Sequence, residues 1–252
     1  MTKKWVYRLS GIFILIFFWQ ILASFYPSSI LPGVIEILIE FSSIITENEF
    51  IKNLFHSFMR VFTGTMIALI IGMIIGILGG IFMRVKESFY PIMVFMESIP
   101  PMAWMVLAIL WFQIGHIPPV IAAIASATPL VFLNIIEGVQ SIDKQLLEMS
   151  QYYSLSFKEM VKNIYIPSLI PSILAALSAS LSLNWRVVVM AEALSSFSGL
   201  GQLLWSTYQY GSTAAIYAYV LIIAIMGFFM EFLLIEPLKN FFLRKFRLGQ
   251  VK

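Results

Sequence analysis

Long apolar stretches separated by short polar connections run through almost the entire chain. A helix that crosses a bilayer needs about 20 mostly apolar residues, and six stretches approach or exceed that length. The pattern predicts an all-α, polytopic membrane protein with one transmembrane domain over residues 1–252. Its six predicted transmembrane helices cover residues 9–26, 58–82, 89–112, 117–136, 168–190 and 214–235. The first is too long and too aromatic for a signal peptide, so we expect an uncleaved span.

The composition narrows the possible functions. Of all residues 60% are hydrophobic and only 12% are charged, roughly half the charged share of a soluble domain. The chain has no cysteine and two histidines, which excludes cysteine-based metal sites and argues against a histidine-rich one. It also lacks a GxxxxGK[ST] phosphate-binding loop. We therefore expect no catalytic residue, no metal, no bound cofactor and no nucleic-acid partner.

The positive charges predict the orientation. Of the 16 lysines and arginines, three fall on the side of the membrane opposite the N-terminus in this topology: Lys52, Arg60 and Arg186. The others share the N-terminal side: Lys3, Lys4, Arg8, Arg84, Lys86, Lys144, Lys158, Lys162, Lys239, Arg244, Lys245, Arg247 and Lys252. Cytoplasmic loops carry the excess of positive charge. Both termini, and the connection between spans four and five at about residues 137–167, are therefore predicted to be cytoplasmic.

Small residues recur at every fourth position in two of the predicted spans. The second span carries such a ridge, and the fifth carries a shorter one. A ridge of this kind lets a neighbouring helix approach closely, so helix packing is the favoured interpretation, with a lining role for a pathway as the alternative. The two ridges are Gly64, Ala68, Gly72, Gly76 and Gly80, and Ser172, Ala176 and Ser180.

Prolines and isolated ionisable groups mark a possible translocation pathway. Pro100-Pro101 lies inside the third span and Pro129 inside the fourth, and both are predicted to interrupt their helices. Glu97 and Arg186 are ionisable residues in or near the membrane, where a functional role is the default hypothesis. The alternatives are that Glu97 reaches the interface from the end of its span and that the motif around Arg186 is structural. The predicted pathway residues are Glu97, Pro100, Asn184, Arg186 and Glu192.

A polar segment at residues 148–167 interrupts the apolar pattern. Ser156 and Glu159 have the spacing of a capping box, so a short helix should begin at Ser156. A first helix is predicted at residues 143–153, with a bend at Ser154. Pro167 should end the segment and start the next span. The apolar residues of the segment could enter a groove on a partner or lie on lipid; they are Leu146, Leu147, Met149, Tyr153 and Phe157.

The same segment resembles the EAA loop of ABC-transporter permeases. That motif reads Glu-Ala-Ala, three residues, Gly, nine residues, Ile-x-Leu-Pro. Residues 148–150 (EMS) take the Glu-Ala-Ala place, Ser154 the glycine place and residues 164–167 (IYIP) the last place, all at the family's spacing. Further motifs resemble the nitrate/sulfonate/taurine-type permeases: residues 100–104 (PPMAW), 111–115 (WFQIG), 184–186 (NWR), 191–192 (AE) and 199–201 (GLG).

The resemblance implies an importer subunit of a bacterial inner (cytoplasmic) membrane. In such transporters two permease subunits lie side by side, here expected as a homodimer. Each EAA loop docks on a cytoplasmic ATPase dimer, which binds the ATP, and an extracytoplasmic binding protein delivers the substrate. Relatives suggest a nitrate-, sulfonate- or taurine-like anion or a thiamine-precursor-like compound. The alternatives are a secondary carrier or channel and the membrane scaffold of a vitamin-uptake complex with a different coupling arrangement. The implied coupling residues are Glu148, Ser150, Tyr153, Ser154, Phe157 and Pro167.

Overall fold

Helices joined by short connections make up the part of the chain that the structure describes, residues 2–237 of a computed structural model. No strand occurs among these residues. The helices are α1 (Thr2–Ala23), α2 (Val34–Thr46), α3 (Asn48–Ile81), α4 (Met83–Ser98), α5 (Pro101–Phe112), α6 (Ile117–Gln140), α7 (Lys144–Tyr152), α8 (Phe157–Met160), α9 (Ile166–Ser195), α10 (Leu200–Tyr210) and α11 (Thr213–Phe229). Two π-helical segments, Val161–Tyr165 and Met230–Ile235, precede α9 and follow α11.

Within residues 2–237, four helical stretches are long and apolar enough to cross a membrane. They contain α3, α6, α9 and α11, and the pair α4–α5 adds a fifth if its two halves count as one bent span. The all-helical membrane class is thereby confirmed, and these stretches overlap the predicted spans two to six. Helix α1 covers residues 9–23 of the first predicted span, but its apolar part, Phe13–Ala23, is shorter than a crossing needs. A sixth span stays a prediction.

The prolines behave in two different ways. The predicted break at Pro100 is confirmed, because α4 ends at Ser98, α5 begins at Pro101 and the two are bent by 95°. The predicted interruption at Pro129 is wrong, because α6 continues through it. Pro129 is buried between neighbouring helices, and such packing holds a helix together across one missing hydrogen bond.

The ridge on α3 brings that helix against α6. A Cβ at Gly72 would lie 2.7 Å from Cβ of Val131, and one at Gly76 would lie 2.9 Å from Cβ of Ile135. Because both partners advance by the same four residues, α3 and α6 run parallel. Only glycine permits this separation of the two backbones, so the packing interpretation of the ridge is confirmed.

Helix α9 packs against both α3 and α6 and runs antiparallel to them. Ala176 and Ser180, from the second ridge, are fully buried, and Gly138 of α6 faces Ser172. Asn184 of α9 donates a hydrogen bond to the hydroxyl oxygen of Thr65 on α3 (2.9 Å). Helices α3, α6 and α9 therefore form the core, and the remaining helices pack around it.

A buried ion pair joins α3 to α9 near one end of the core. Arg60 Nη1 lies 2.6 Å from Glu192 Oε1, with side-chain exposures of 5% and 0%. The other carboxylate oxygen accepts hydrogen bonds from Ser57 Oγ (2.7 Å) and from the backbone N–H of Gly201 (3.2 Å). Both carboxylate oxygens of Glu192 and both Nη atoms of Arg60 have hydrogen-bond partners, as a buried pair requires, whereas Arg60 Nε is buried without a partner among the described residues.

Arg60 also forms hydrogen bonds with two connections between helices, one between α5 and α6 and one between α9 and α10. Arg60 Nη1 and Nη2 donate to the carbonyl and hydroxyl oxygens of Ser198 (2.7 and 2.8 Å), and Nη2 also lies 2.6 Å from Nδ1 of His116. Burial, then the charge of Arg60, lower the pKa of His116, which favours the neutral ring that can accept this bond. Gly199 has a φ of 110°, and a Cβ there would strike the Glu192 carboxyl group.

We predict that Gly72→Ala destabilises the protein. The added methyl group overlaps Val131, and overpacking costs about 1–3 kcal/mol. Gly11→Ala is the matched control, because nothing lies within 4 Å of a Cβ there and alanine favours a helix by about 1 kcal/mol over glycine. Thermal unfolding in detergent should show a lower midpoint for Gly72→Ala only. Equal midpoints for both variants would contradict the close α3–α6 contact.

We also predict that Glu192→Gln lowers the midpoint of thermal unfolding strongly. The substitution leaves Arg60 buried without a counter-charge, and breaking a buried pair costs about 3–5 kcal/mol. The control is Glu49→Gln, whose pair with Lys52 has side-chain exposures of 71% and 74% and should contribute about 0–1 kcal/mol. The double variant Arg60→Met/Glu192→Met should recover part of the loss. Similar midpoints for Glu192→Gln and Glu49→Gln would refute the role of the pair.

Candidate functional site

The polar segment folds as two short helices at an angle. Helix α7 (Lys144–Tyr152) agrees with the predicted range of residues 143–153, and α8 begins directly after Ser156. Between them Ser154 has a φ of 51°. This left-handed conformation costs a non-glycine residue roughly 1–2 kcal/mol, so the bend predicted at the family's glycine position is confirmed.

A capping box fixes the start of α8. The backbone N–H of Ser156 donates to Glu159 Oε2 (2.9 Å), and the N–H of Glu159 donates back to Ser156 Oγ (3.4 Å). The Ser156 hydroxyl group also donates to the same carboxylate oxygen (2.6 Å). These hydrogen bonds, the side-chain bond first, lower the pKa of Glu159. The spacing of the two residues therefore predicted the contact correctly.

One face of α7, extended by Tyr153 directly after it, is apolar and uncovered. Tyr153 is 68% exposed, Met149 is 54% exposed, and Glu148 is exposed beside them. Leu147 turns the other way and packs with the core. Ser150 is also turned inward, where its hydroxyl group donates to the carbonyl oxygen of Leu147 (2.6 Å) and contacts Met160 Sδ (3.2 Å).

The predicted coupling residues therefore divide into two groups. Glu148, Tyr153 and Ser154 lie at the surface, whereas Ser150 braces α7 against α8. Phe157 is the first residue of α8, and its side chain lies outside the described part of the chain. The surface group is the part of the segment that another protein can reach.

Pro167 does not separate the segment from the next helix as predicted. The helix runs without a break over Lys158–Ser195, so that expectation is corrected. Proline has no N–H to donate to the preceding turn. The wider π-helical turn at Val161–Tyr165, in which the N–H of Ile166 donates to the carbonyl oxygen of Val161, carries the chain past the proline. The part of the polar segment from Lys158 onward is thus continuous with α9.

A cavity of about 660 Å³ lies where α4, α5, α6 and α9 meet. It includes two of the predicted pathway residues, Glu97 and Arg186, which are 89 positions apart in sequence and share this space. Along α9 it extends over residues 175–186, the middle of that helix. Its lining residues are Met96, Glu97, Ile99, Pro101, Ser126, Leu130, Ala175, Ser178, Ala179, Ser182, Leu183, Arg186 and Glu231.

The other predicted pathway residues have different surroundings. Pro100 caps α5 at the bend, and its neighbours Ile99 and Pro101 line the cavity. Asn184 and Glu192 are fully buried in the α3–α9 contact and are not among the lining residues. Their partners Thr65 and Arg60 are separated from them by more than 100 positions, so no local signal in the sequence could reveal the pairing.

Glu231 is a further cavity residue that is not among the predicted pathway residues. Glu231 lies in the π-helical segment after α11 and accepts a hydrogen bond from Ser182 Oγ (3.3 Å). Arg186 Nε donates to the carbonyl oxygen of Ser182 (3.2 Å), which places it beside the same turn of α9. A lone acidic residue in an otherwise apolar span is the signal that could have identified Glu231.

The chain is similar in sequence to known transport permeases and similar in fold to a solved transporter structure. Bicarbonate transport system permease protein CmpB of Synechococcus elongatus is 26% identical over 91% of this chain and 89% of its own. Taurine transport system permease protein TauC of Escherichia coli is 26% identical over 71% of this chain and 66% of its own. An inward-facing structure of the MetNI methionine ABC transporter matches 78% of this chain and 95% of its own chain, with a TM-score of 0.66 and 17% identity.

These matches confirm the predicted resemblance to ABC-transporter permeases, and the MetNI structure supports the fold alone. A family model described as "binding-protein-dependent transport system inner membrane component" matches residues 68–235, more than half of the chain. That range contains the two-helix segment and all residues that line the cavity. The chain therefore belongs to the family of inner-membrane components of binding-protein-dependent transport systems.

Proposed function

We propose that this chain is the permease subunit of an ATP-binding-cassette importer, with six spans and both termini in the cytoplasm. The excess of lysine and arginine on one side supports this orientation. The packing agrees with it, since α3 and α6 run parallel and α9 runs against both. The charged residues 239–252 on that side lie outside the described part of the chain.

The exposed face of α7 is the proposed docking surface for a cytoplasmic ATPase subunit. Tyr153 and Met149 offer apolar area, and Glu148 offers a charge at the rim, a combination typical of protein interfaces. This uncovered face, next to the capped start of α8, is the observation that carries the proposal. A soluble partner accounts for Glu148 better than burial of the same face in lipid does.

The continuous helix over Lys158–Ser195 supports a mechanical route from the ATPase to the cavity. This helix is about 57 Å long, and α7 contacts its start through Ser150 and Met160, so displacement of the docking surface on α7 would shift the part of α9 that lines the cavity. Closure of the ATPase dimer on ATP would then favour one of two arrangements of the membrane helices. ATP binds the partner, and this chain transmits the movement.

The cavity at the middle of α9 is the proposed passage for substrate. Ionisable residues at such a depth mark substrate pathways, and substrate sites of transporters lie near the bilayer midplane. We propose a small solute with an anionic group, as in the relatives named for bicarbonate and taurine, contacting Arg186. An extracytoplasmic binding protein delivers it, and two copies of the permease form the transporter in a bacterial inner membrane.

We predict that Glu148→Lys weakens capture of the ATPase subunit. Reversal of one charge at the edge of a docking surface should reduce co-purification of the ATPase and ATP-driven uptake together. The control is Glu87→Lys, an equally exposed charge reversal on α4. Co-purification of a co-expressed ATPase subunit of the same transporter measures the effect. Unchanged assembly and uptake in Glu148→Lys would remove its assigned role.

We predict that Arg186→Gln lowers ATP-dependent uptake into vesicles containing the complete transporter. A charged hydrogen bond contributes about 1.5–3 kcal/mol, so uptake at limiting substrate should fall by roughly ten-fold or more. Arg84→Gln, an exposed position on α4 outside the cavity, is the control and should carry substrate normally. Normal uptake by Arg186→Gln would exclude the anion contact, while ATP dependence itself would remain intact.

A further inference from the structure

The charges of the 660 Å³ cavity are unequal in number. It is lined by two carboxylates, Glu97 and Glu231, and by one guanidinium group, Arg186. None of the three forms an ion pair with another described residue. An empty cavity therefore has a formal excess of one negative charge, and a small monoanion such as nitrate would contact Arg186 while leaving both carboxylates without a counter-charge.

Hydroxyl-bearing residues add polar character to the cavity wall. Ser126 lines the cavity on α6, although its Oγ is itself buried and makes no hydrogen bond to any described residue. Ser178 and Ser182 place two more hydroxyl groups along the α9 wall.

An apolar groove of about 740 Å³ adjoins the cavity, and two of the three charged residues of the cavity lie at the boundary between the two spaces. Ser182, Arg186 and Glu231 line both spaces, so they form the boundary between them. The other side of this boundary is formed by aromatic and aliphatic residues, including Trp185, Trp205 and Phe228. Such a wall has a low dielectric constant and strengthens the field of the adjacent charges.

We infer that the cavity selects a small organic zwitterion, with an anionic group against Arg186 and a cationic nitrogen between Glu97 and Glu231. Such a ligand places an opposite charge beside both kinds of group and offsets the excess negative charge. A plain organic cation leaves Arg186 without a partner, and an inorganic anion leaves the carboxylates without one. This inference rests on the proposed function, because it names the substrate class for the same passage.

Because the chain contains no cysteine, the reaction rates of a single introduced cysteine with charged reagents can report the electrostatic potential inside the cavity. In membranes containing the full chain, Ser178→Cys would be labelled with a cationic trimethylammonium-ethyl thiosulfonate and with an anionic sulfonatoethyl thiosulfonate. Ser28→Cys, exposed in the connection between α1 and α2, is the control. The cation-to-anion rate ratio at Ser178→Cys should exceed that of the control on the order of 10-fold.

The carboxylates should account for that ratio. In Ser178→Cys carrying Glu97→Gln and Glu231→Gln, the ratio should fall to the control value. Ala175→Cys, on the same wall, replaces Ser178→Cys if the latter does not fold. A ratio no larger than the control, a ratio unaffected by the two glutamine substitutions, or no labelling at Ser178→Cys and Ala175→Cys would each overturn the inference.

Matched two-carbon probes test the zwitterion directly. Taurine carries both charges, ethanesulfonate only the anionic one and ethylamine only the cationic one. Taurine should slow labelling at Ser178→Cys more than either of the others at equal concentration. Equal or better protection by a singly charged probe, or protection by none, overturns the inference. Labelling needs neither ATP nor a partner, so its failure is distinguishable from a loss of ATP-dependent uptake, which would refute the proposed function.

Discussion

The close approach of α3 to α6 is the constraint on which the other features depend. Glycines on α3 remove the side chains that would hold the two backbones apart, and Val131 and Ile135 of α6 fill the space. This contact fixes the register between the helices, because each glycine accepts one specific partner. Helix α9 then packs against both, and its position decides where the buried ion pair and the cavity lie.

Helix α9 carries charged groups into two opposite environments. Glu192 is enclosed by Arg60, Ser57 and the N–H of Gly201, so it stabilises the fold and its charge is satisfied. Six residues earlier, Arg186 faces a cavity and no other described residue pairs with it. A helix turns through 600° in six residues, which places the two side chains on different faces. The buried ion pair and the cavity-lining charge thus lie on separate faces of one helix.

The two-helix segment and the cavity are connected by backbone continuity. A proline at the start of a span would ordinarily end the preceding helix, yet the π-helical turn at Val161–Tyr165 carries the helix through Pro167. The consequence is one continuous helix over Lys158–Ser195, which joins the second short helix of the polar segment to the part of α9 that lines the cavity.

The sequence by itself determined the features that arise from neighbouring residues. Apolar length determined the helical membrane class, the spacing of Ser156 and Glu159 determined the capping box, and the family motif indicated the bend at Ser154. Only the tertiary structure decided which distant groups meet: Arg60 with Glu192, and Glu97 and Arg186 with Glu231. It also decided that the helix continues through Pro129 and Pro167. These outcomes depend on packing register and on a change of hydrogen-bond pattern, and both are set by contacts between helices.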